Sequence, residues 1–189
     1  MPALDAGRAR AADSDRERWR SLIVDVPDWP RPGVGFKDLT PLLADGPALA
    51  GVVAVMGQGR RGGVDVVAGV EARGFVLGAA LALHLGTGFV PLRKHGKLPR
   101  AALTVAYALE YGEDRLQVHA DAFQPGQRVL VVDDVLATGG TAAASVRLVR
   151  EAGAEVVAVS VLAELTALGG RGAVLASAPG LAVEALLVW

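Results

Sequence analysis

Short apolar runs separated by helix-length segments constrain this chain more than any other feature. Val64–Val70, Gly88–Leu92, Arg128–Val132 and Val156–Leu162 each read as a buried strand, while Gly74–Leu85 and Ala142–Ala152 carry helical spacing. A strand that is apolar along its length, not only at alternate positions, has both faces covered. Such strands alternating with helices imply an α/β fold with a mostly parallel central sheet flanked by helices. Neither an internal repeat nor a low-complexity linker interrupts the pattern. One domain over 13-189 is therefore expected, behind a mobile tail at 1-12, and 189 residues suffice to bury its core.

The pattern weakens in three places. Asp13–Val26 has Trp19, Leu22 and Ile23 at helical spacing with Ser14 as N-cap, and is expected to be one helix. The following Pro27–Gly33 holds three prolines, which fix φ and withhold donors, so it forms no regular element; a helix follows at Pro47–Met56. Arg93–Asp114 mixes Lys94, Gly96, Lys97, Pro99 and Arg100 with Tyr107, Glu110, Tyr111 and Gly112, and reads as a long irregular lid. Ala173–Trp189 is apolar except for Glu184. Pro179 and Gly180 split it, which predicts two short buried strands and not a membrane span.

Composition closes several functional classes. Net charge is −1, from 19 Lys+Arg against 20 Asp+Glu, so neither nucleic acid nor a membrane surface is an expected partner. Without cysteine there is no disulfide, thiol nucleophile or thiolate metal site. His84, His95 and His119 fall at no metal-binding spacing. The N-terminus lacks the basic-then-apolar order of a signal peptide, which predicts a cytoplasmic location.

Val129–Thr141 (VLVVDDVLATGGT) carries the chemistry. A buried strand ends in Asp133 and Asp134, and a turn through Ala137, Thr138, Gly139, Gly140 and Thr141 starts a helix. Ligands of open α/β sheets sit outside the carboxyl ends of the strands. Consecutive N–H groups of a glycine turn, aimed together with a helix N-terminus, suit a phosphate dianion, and the two threonines add hydroxyls. The two carboxylates can accept hydrogen bonds from vicinal ribose hydroxyls or contact magnesium, directly or through water. A triphosphate loop would need Gly-Lys-Ser/Thr, which this turn lacks. Gly57–Gly62 matches G-x-G-x-x-G, but it follows a helix and precedes a strand, the reverse of a dinucleotide site.

The run resembles the phosphoribosyl-pyrophosphate signature of type I phosphoribosyltransferases. Pro27–Asp38 (PDWPRPGVGFKD), Gly69–Gly74 (GVEARG), Arg93–Pro99 (RKHGKLP) and Leu109–Gly112 (LEYG), with Glu164-Leu165 and Gly170-Arg171, are similar to the adenine-specific members of that family. The likeness runs from about Val26 to Arg171. It implies the type I phosphoribosyltransferase fold, with an N-terminal base-binding hood (about 13-45) and a flexible lid loop (about 93-114). Ala137–Thr141 would hold a 5′-phosphate and Asp133 and Asp134 the ribose hydroxyls, while Arg73, Lys94 and Lys97 would meet pyrophosphate. Backbone around Val34, Phe36 and Lys37 would read adenine, with Phe36 on its face. This chain has Gly35, Lys37 and Ala72 where the family more often shows a bulkier residue, Arg and Ser. Glu71-Ala72 stands where the family can carry a cis peptide.

The reaction so implied joins adenine to phosphoribosyl pyrophosphate, giving AMP and pyrophosphate through an oxocarbenium-like carbon. Glu110 would handle the proton of the base, and Tyr111 would help seal a closed lid. Mg2+ is the implied cofactor, held through pyrophosphate and reached by Asp133 or Asp134 through water, with no direct protein ligand. A homodimer is implied as well. Two alternatives share the phosphate signature: transfer to another nucleobase, and a non-catalytic sensor of phosphoribosyl pyrophosphate.

Overall fold

The computed structural model describes residues 13–109 and 112–189. The segment expected as a mobile tail, 1-12, lies outside them. Two units are distinguished, one running up to Val52 and the other from Val53 to Trp189.

In the first unit residues 13–21 form a helix, α1, that buries Trp19. The helix expected to continue to Val26 stops there, because Val24–Val26 is a strand, β1, paired antiparallel with β2 (Phe36–Asp38), Val26 opposite Phe36. Val24 and Val26 are β-branched, and Val26 precedes Pro27, which disfavours helical backbone at that residue. Two helices follow, α2 (Thr40–Ala44) and α3 (Gly46–Met56), the second containing the division between the units.

The second unit holds a seven-stranded sheet. Its strands are β3 (Val66–Val70), β4 (Gly88–Lys94), β5 (Ala102–Leu109), β6 (Gly112–His119), β7 (Arg128–Leu136), β8 (Glu155–Glu164) and β9 (Ala182–Val188), in the order β5-β6-β4-β3-β7-β8-β9. From β4 to β9 every neighbouring pair is parallel; β5 and β6 add an antiparallel edge beside β4. β3 is buried at all its positions, as its apolar run requires. The crossovers are α4 (Arg73–Leu85), α5 (Gly140–Glu151) and α6 (Gly170–Ser177).

β3 leads through α4 to β4 on one side, whereas β7 leads through α5 to β8 on the other. The loops after β3 and β7 therefore diverge at a switch point, where open α/β sheets form ligand crevices.

Two expectations fail here. Arg93–Asp114 contains an antiparallel pair: Val105 and Tyr107 are buried and Thr104 and Ala106 exposed, with buried Leu116 opposite Val105 and buried Val118 opposite Leu103. Ala173–Trp189 is the end of α6 plus β9, not two strands, since Gly170 and Val174 bury one face of a helix that ends before Pro179-Gly180. Among the described residues no helix is long and apolar enough to cross a membrane.

Candidate active site

β7 brings Asp133 and Asp134 to the crevice, and the turn that follows reaches α5 through Gly139, whose φ of 83° only glycine adopts readily. Among the described residues no side chain caps α5, so the amides of its first turn remain directed at the crevice. A cavity of about 70 Å³ lies there, lined by Asp133, Val135, Ala137, Thr138, Gly139 and Thr141 among others.

From the other side of the switch point come Glu71, Ala72 and Arg73. The Glu71-Ala72 peptide, at the position where the resemblance left a cis bond open, is cis. The Arg73 guanidinium donates through Nε to Asp134 Oδ2, and Asp134 is almost fully buried. Gly74 explains how β7 and α4 approach so closely: a Cβ there would stand 3.0 Å from both Asp133 Oδ1 and Val132 O. Asp133 Oδ1 also accepts the Asp134 amide at 2.8 Å. Burial, then the charge of Asp134, pushes the Asp133 carboxyl well above its usual range.

Glu71 ties this loop to β4. It accepts Arg93 Nε at 3.1 Å and the Lys94 amide at 2.8 Å. The Arg93 bond, opposed by burial and helped by Lys94 and by the charges of Arg93 and Lys97, holds its pKa below the usual value. The Lys94 ammonium reaches Asp114 Oδ2 at 3.2 Å, and the Tyr107 hydroxyl donates to the same oxygen at 3.1 Å. Burial raises the Tyr107 pKa, against a hydrogen bond with the Thr141 side chain. A chain of polar contacts thus runs from Lys94 through Asp114 and Tyr107 to the start of α5.

Residues 44–174 match the family model described as the phosphoribosyl transferase domain. The adenine phosphoribosyltransferase of Acidothermus cellulolyticus is 54% identical over 178 residues, covering 94% of this chain and 96% of that protein. The chain belongs to the adenine phosphoribosyltransferase family. Solved structures agree: the adenine phosphoribosyltransferase of Rhodothermus marinus superposes with a TM-score of 0.88 at 44% identity, over 94% of this chain and 99% of that one. The enzyme from Saccharomyces cerevisiae, in complex with adenine and an imino-altritol bisphosphate, does so with a TM-score of 0.85 at 32% identity, over 93% and 99%.

Of the residues that resemblance to adenine phosphoribosyltransferases singles out, Arg73, Lys94, Asp133, Asp134, Ala137, Thr138, Gly139, Gly140 and Thr141 occupy the crevice or its rim. Lys97 is exposed, near enough to act on Glu71. Val34, Phe36 and Lys37 belong to the other unit. There Val34 closes a turn, accepting the Trp29 amide at 3.0 Å, and Phe36 packs against Trp29 with ring centroids 4.5 Å apart. Lys37 forms an ion pair with Asp25. Glu110 and Tyr111 lie outside the described residues.

Sequence reasoning passed over Trp29, Arg93, Asp114 and the hydroxyl of Tyr107. For Asp114 and Tyr107 the two-residue alternation on β5 and β6 was an available signal, obscured by the charges around it.

Proposed function

We propose that this chain transfers the phosphoribosyl group of phosphoribosyl pyrophosphate to adenine, releasing pyrophosphate and forming AMP. The observation that carries this reading is the switch-point crevice, where paired carboxylates, an uncapped helix start behind a glycine turn, and Arg73 converge. The turn and the first amides of α5 would hold the 5′-phosphate, and Asp133 and Asp134 would accept the ribose hydroxyls. Arg73, Lys94 and Lys97 would stabilise the departing diphosphate, whose negative charge grows as the ribose carbon becomes cation-like. Glu110 would manage the proton of the attacking base, and closure of 93-114 over the crevice would exclude water from that carbon. Val34, Phe36 and Lys37 would read the base, and the Saccharomyces cerevisiae relative supports adenine as that base, since its structure holds adenine. The proposal includes a homodimer.

Magnesium fits the donor set in one way. Among the described residues no three His, Cys, Asp or Glu side chains gather as a cage. Two adjacent carboxylates suit an ion that keeps most of its water and takes its remaining ligands from diphosphate. Bound in that way, the ion would neutralise charge on the leaving group.

The test is pyrophosphate release in the presence of magnesium and phosphoribosyl pyrophosphate, with adenine, hypoxanthine, guanine, xanthine and orotate supplied separately. Release with adenine alone, lost on chelation of the metal, is expected. Release with another base would overturn the choice of acceptor, and binding without release would make the chain a sensor.

A further inference from the structure

Behind the turn Ala137–Gly139 the backbone is in contact with backbone. A Cβ on Gly170 would collide with the carbonyl oxygen of Ala137 and stand 3.0 Å from the amide nitrogen of Gly139. In return, a Cβ on Gly139 would collide with the carbonyl oxygen of Gly170 and lie 2.9 Å from its carbonyl carbon. Two glycines are thus needed face to face, where any side chain would push the turn toward the crevice. The neighbouring Gly172 meets nothing within 4 Å, so the demand is confined to Gly170 and does not belong to the helix in general.

Gly170 is the first residue of α6, and the next residue pins it. Arg171 grips Glu164 through both ends of its guanidinium, one bond being 3.0 Å from Nε to Oε1, and also donates to the carbonyl of Val183 on β9. Glu164 is buried at the end of β8, in register with Leu136 at the end of β7. Leu165 donates its amide to the Leu136 carbonyl at 2.9 Å. A buried carboxylate needs such a partner to be tolerated, and a bidentate guanidinium fixes direction as well as distance. The pair therefore ties the start of α6 to the end of β8, the same edge from which the turn departs, while the Val183 bond reaches the start of β9.

We propose that Gly170, held in place by the Glu164–Arg171 pair, is a positioning residue that sets the backbone of the 5′-phosphate turn. The inference rests on reading Ala137–Thr141 as the phosphate site. It assigns to residues outside the crevice the task of keeping the amides of Gly139 and Gly140 aimed at the anion. A shift of a few tenths of an ångström across several charge-assisted hydrogen bonds weakens all of them together.

Calorimetric titration of the intact protein with AMP and, separately, with adenosine tests this, because the two ligands differ only in the phosphate. Gly170→Ala should lower AMP affinity about tenfold or more, the value of one lost charged hydrogen bond, with adenosine affinity unchanged. Arg171→Gln should lower the AMP preference in the same direction, and Gly172→Ala should leave it intact. A folded Gly170→Ala protein with the parent's AMP-to-adenosine ratio overturns the inference, even if it melts earlier. Should Gly170→Ala not fold, Arg171→Gln decides: a retained ratio overturns the proposal and a reduced one supports it. A parent protein that binds AMP no better than adenosine would instead defeat the phosphate assignment itself.

Discussion

Asp133 and Asp134 are adjacent and chemically identical, yet the fold gives them different electrostatic situations. Asp134 meets the Arg73 guanidinium, whereas Asp133 faces the first turn of α4, which Gly74 allows to come close. Burial and then the neighbouring charge make Asp133 reluctant to ionise. A carboxyl whose folded pKa is raised contributes stability that is complete below its unfolded pKa of about 3.9 and lost as pH rises toward the folded value. Asp133→Asn has no proton to lose. Its Tm should therefore exceed the parent's by a margin that widens as pH climbs from about 4. Thermal melts across pH check this, and a margin that stays flat or shrinks would show that Asp133 ionises without penalty. The same change removes a negative acceptor for a ribose hydroxyl, so phosphoribosyl transfer should fall while stability rises. The two acids were legible in the sequence as a pair at a strand end. Their inequality was not, because it depends on a helix start contributed by residues sixty positions earlier.

At the scale of elements, the hairpin of β5 and β6 is where sequence and structure part most clearly. Strands β3, β7 and β8 were readable because unbroken apolar runs bury both faces. In β6 only Leu116 and Val118 are apolar among polar neighbours, β5 runs through small alanines with Thr104 between them, and Lys, Arg, Glu and Asp crowd the ends, so the buried row of Val105, Tyr107, Leu116 and Val118 was submerged. The C-terminal part was misread for a related reason: apolarity alone does not distinguish α6 from a strand, and only Pro179-Gly180 marks the change. The structure also shows what anchors the hairpin. Arg147 on α5 donates to the Ala106 carbonyl at 2.8 Å, and Tyr107 bridges Asp114 and Thr141. Tyr107→Phe keeps the ring and deletes the bridge. It should cost about 0.5–1.5 kcal/mol in urea unfolding, the usual net value of one hydrogen bond. Because the bridge ends on Thr141 and, through Asp114, on Lys94, the KM for phosphoribosyl pyrophosphate should rise more than that for adenine. Equal KM values for parent and variant would leave the bridge a purely structural tie.

For the whole molecule, the decisive surface is the outer side of α4. Val76 and Leu83 stand seven residues apart on this helix, 45% and 84% exposed, with half-buried Ala79 and Ala80 between them. These four positions share one face at helical spacing, and none carries a polar group. A scattered exposed leucine needs no explanation, but a continuous apolar row is the surface that association covers. A second copy of the chain is the simplest occupant, since one helix can meet its own symmetry mate about a twofold axis, with the small alanines letting the backbones approach. The face belongs to the same helix that begins with Arg73, so an interface there would also steady the start of α4 at the crevice. Leu83→Glu places one charge per protomer opposite its mate, where neither can be solvated or paired. If the proposed homodimer forms through this face, sedimentation velocity should show a dimer for the parent and a monomer for Leu83→Glu, with the helical circular dichroism retained. Loss of activity in that folded monomer, restored at protein concentrations that force reassociation, would show that α4 needs the interface. A parent that sediments as a monomer, or a Leu83→Glu protein that remains dimeric, would overturn α4 as the interface.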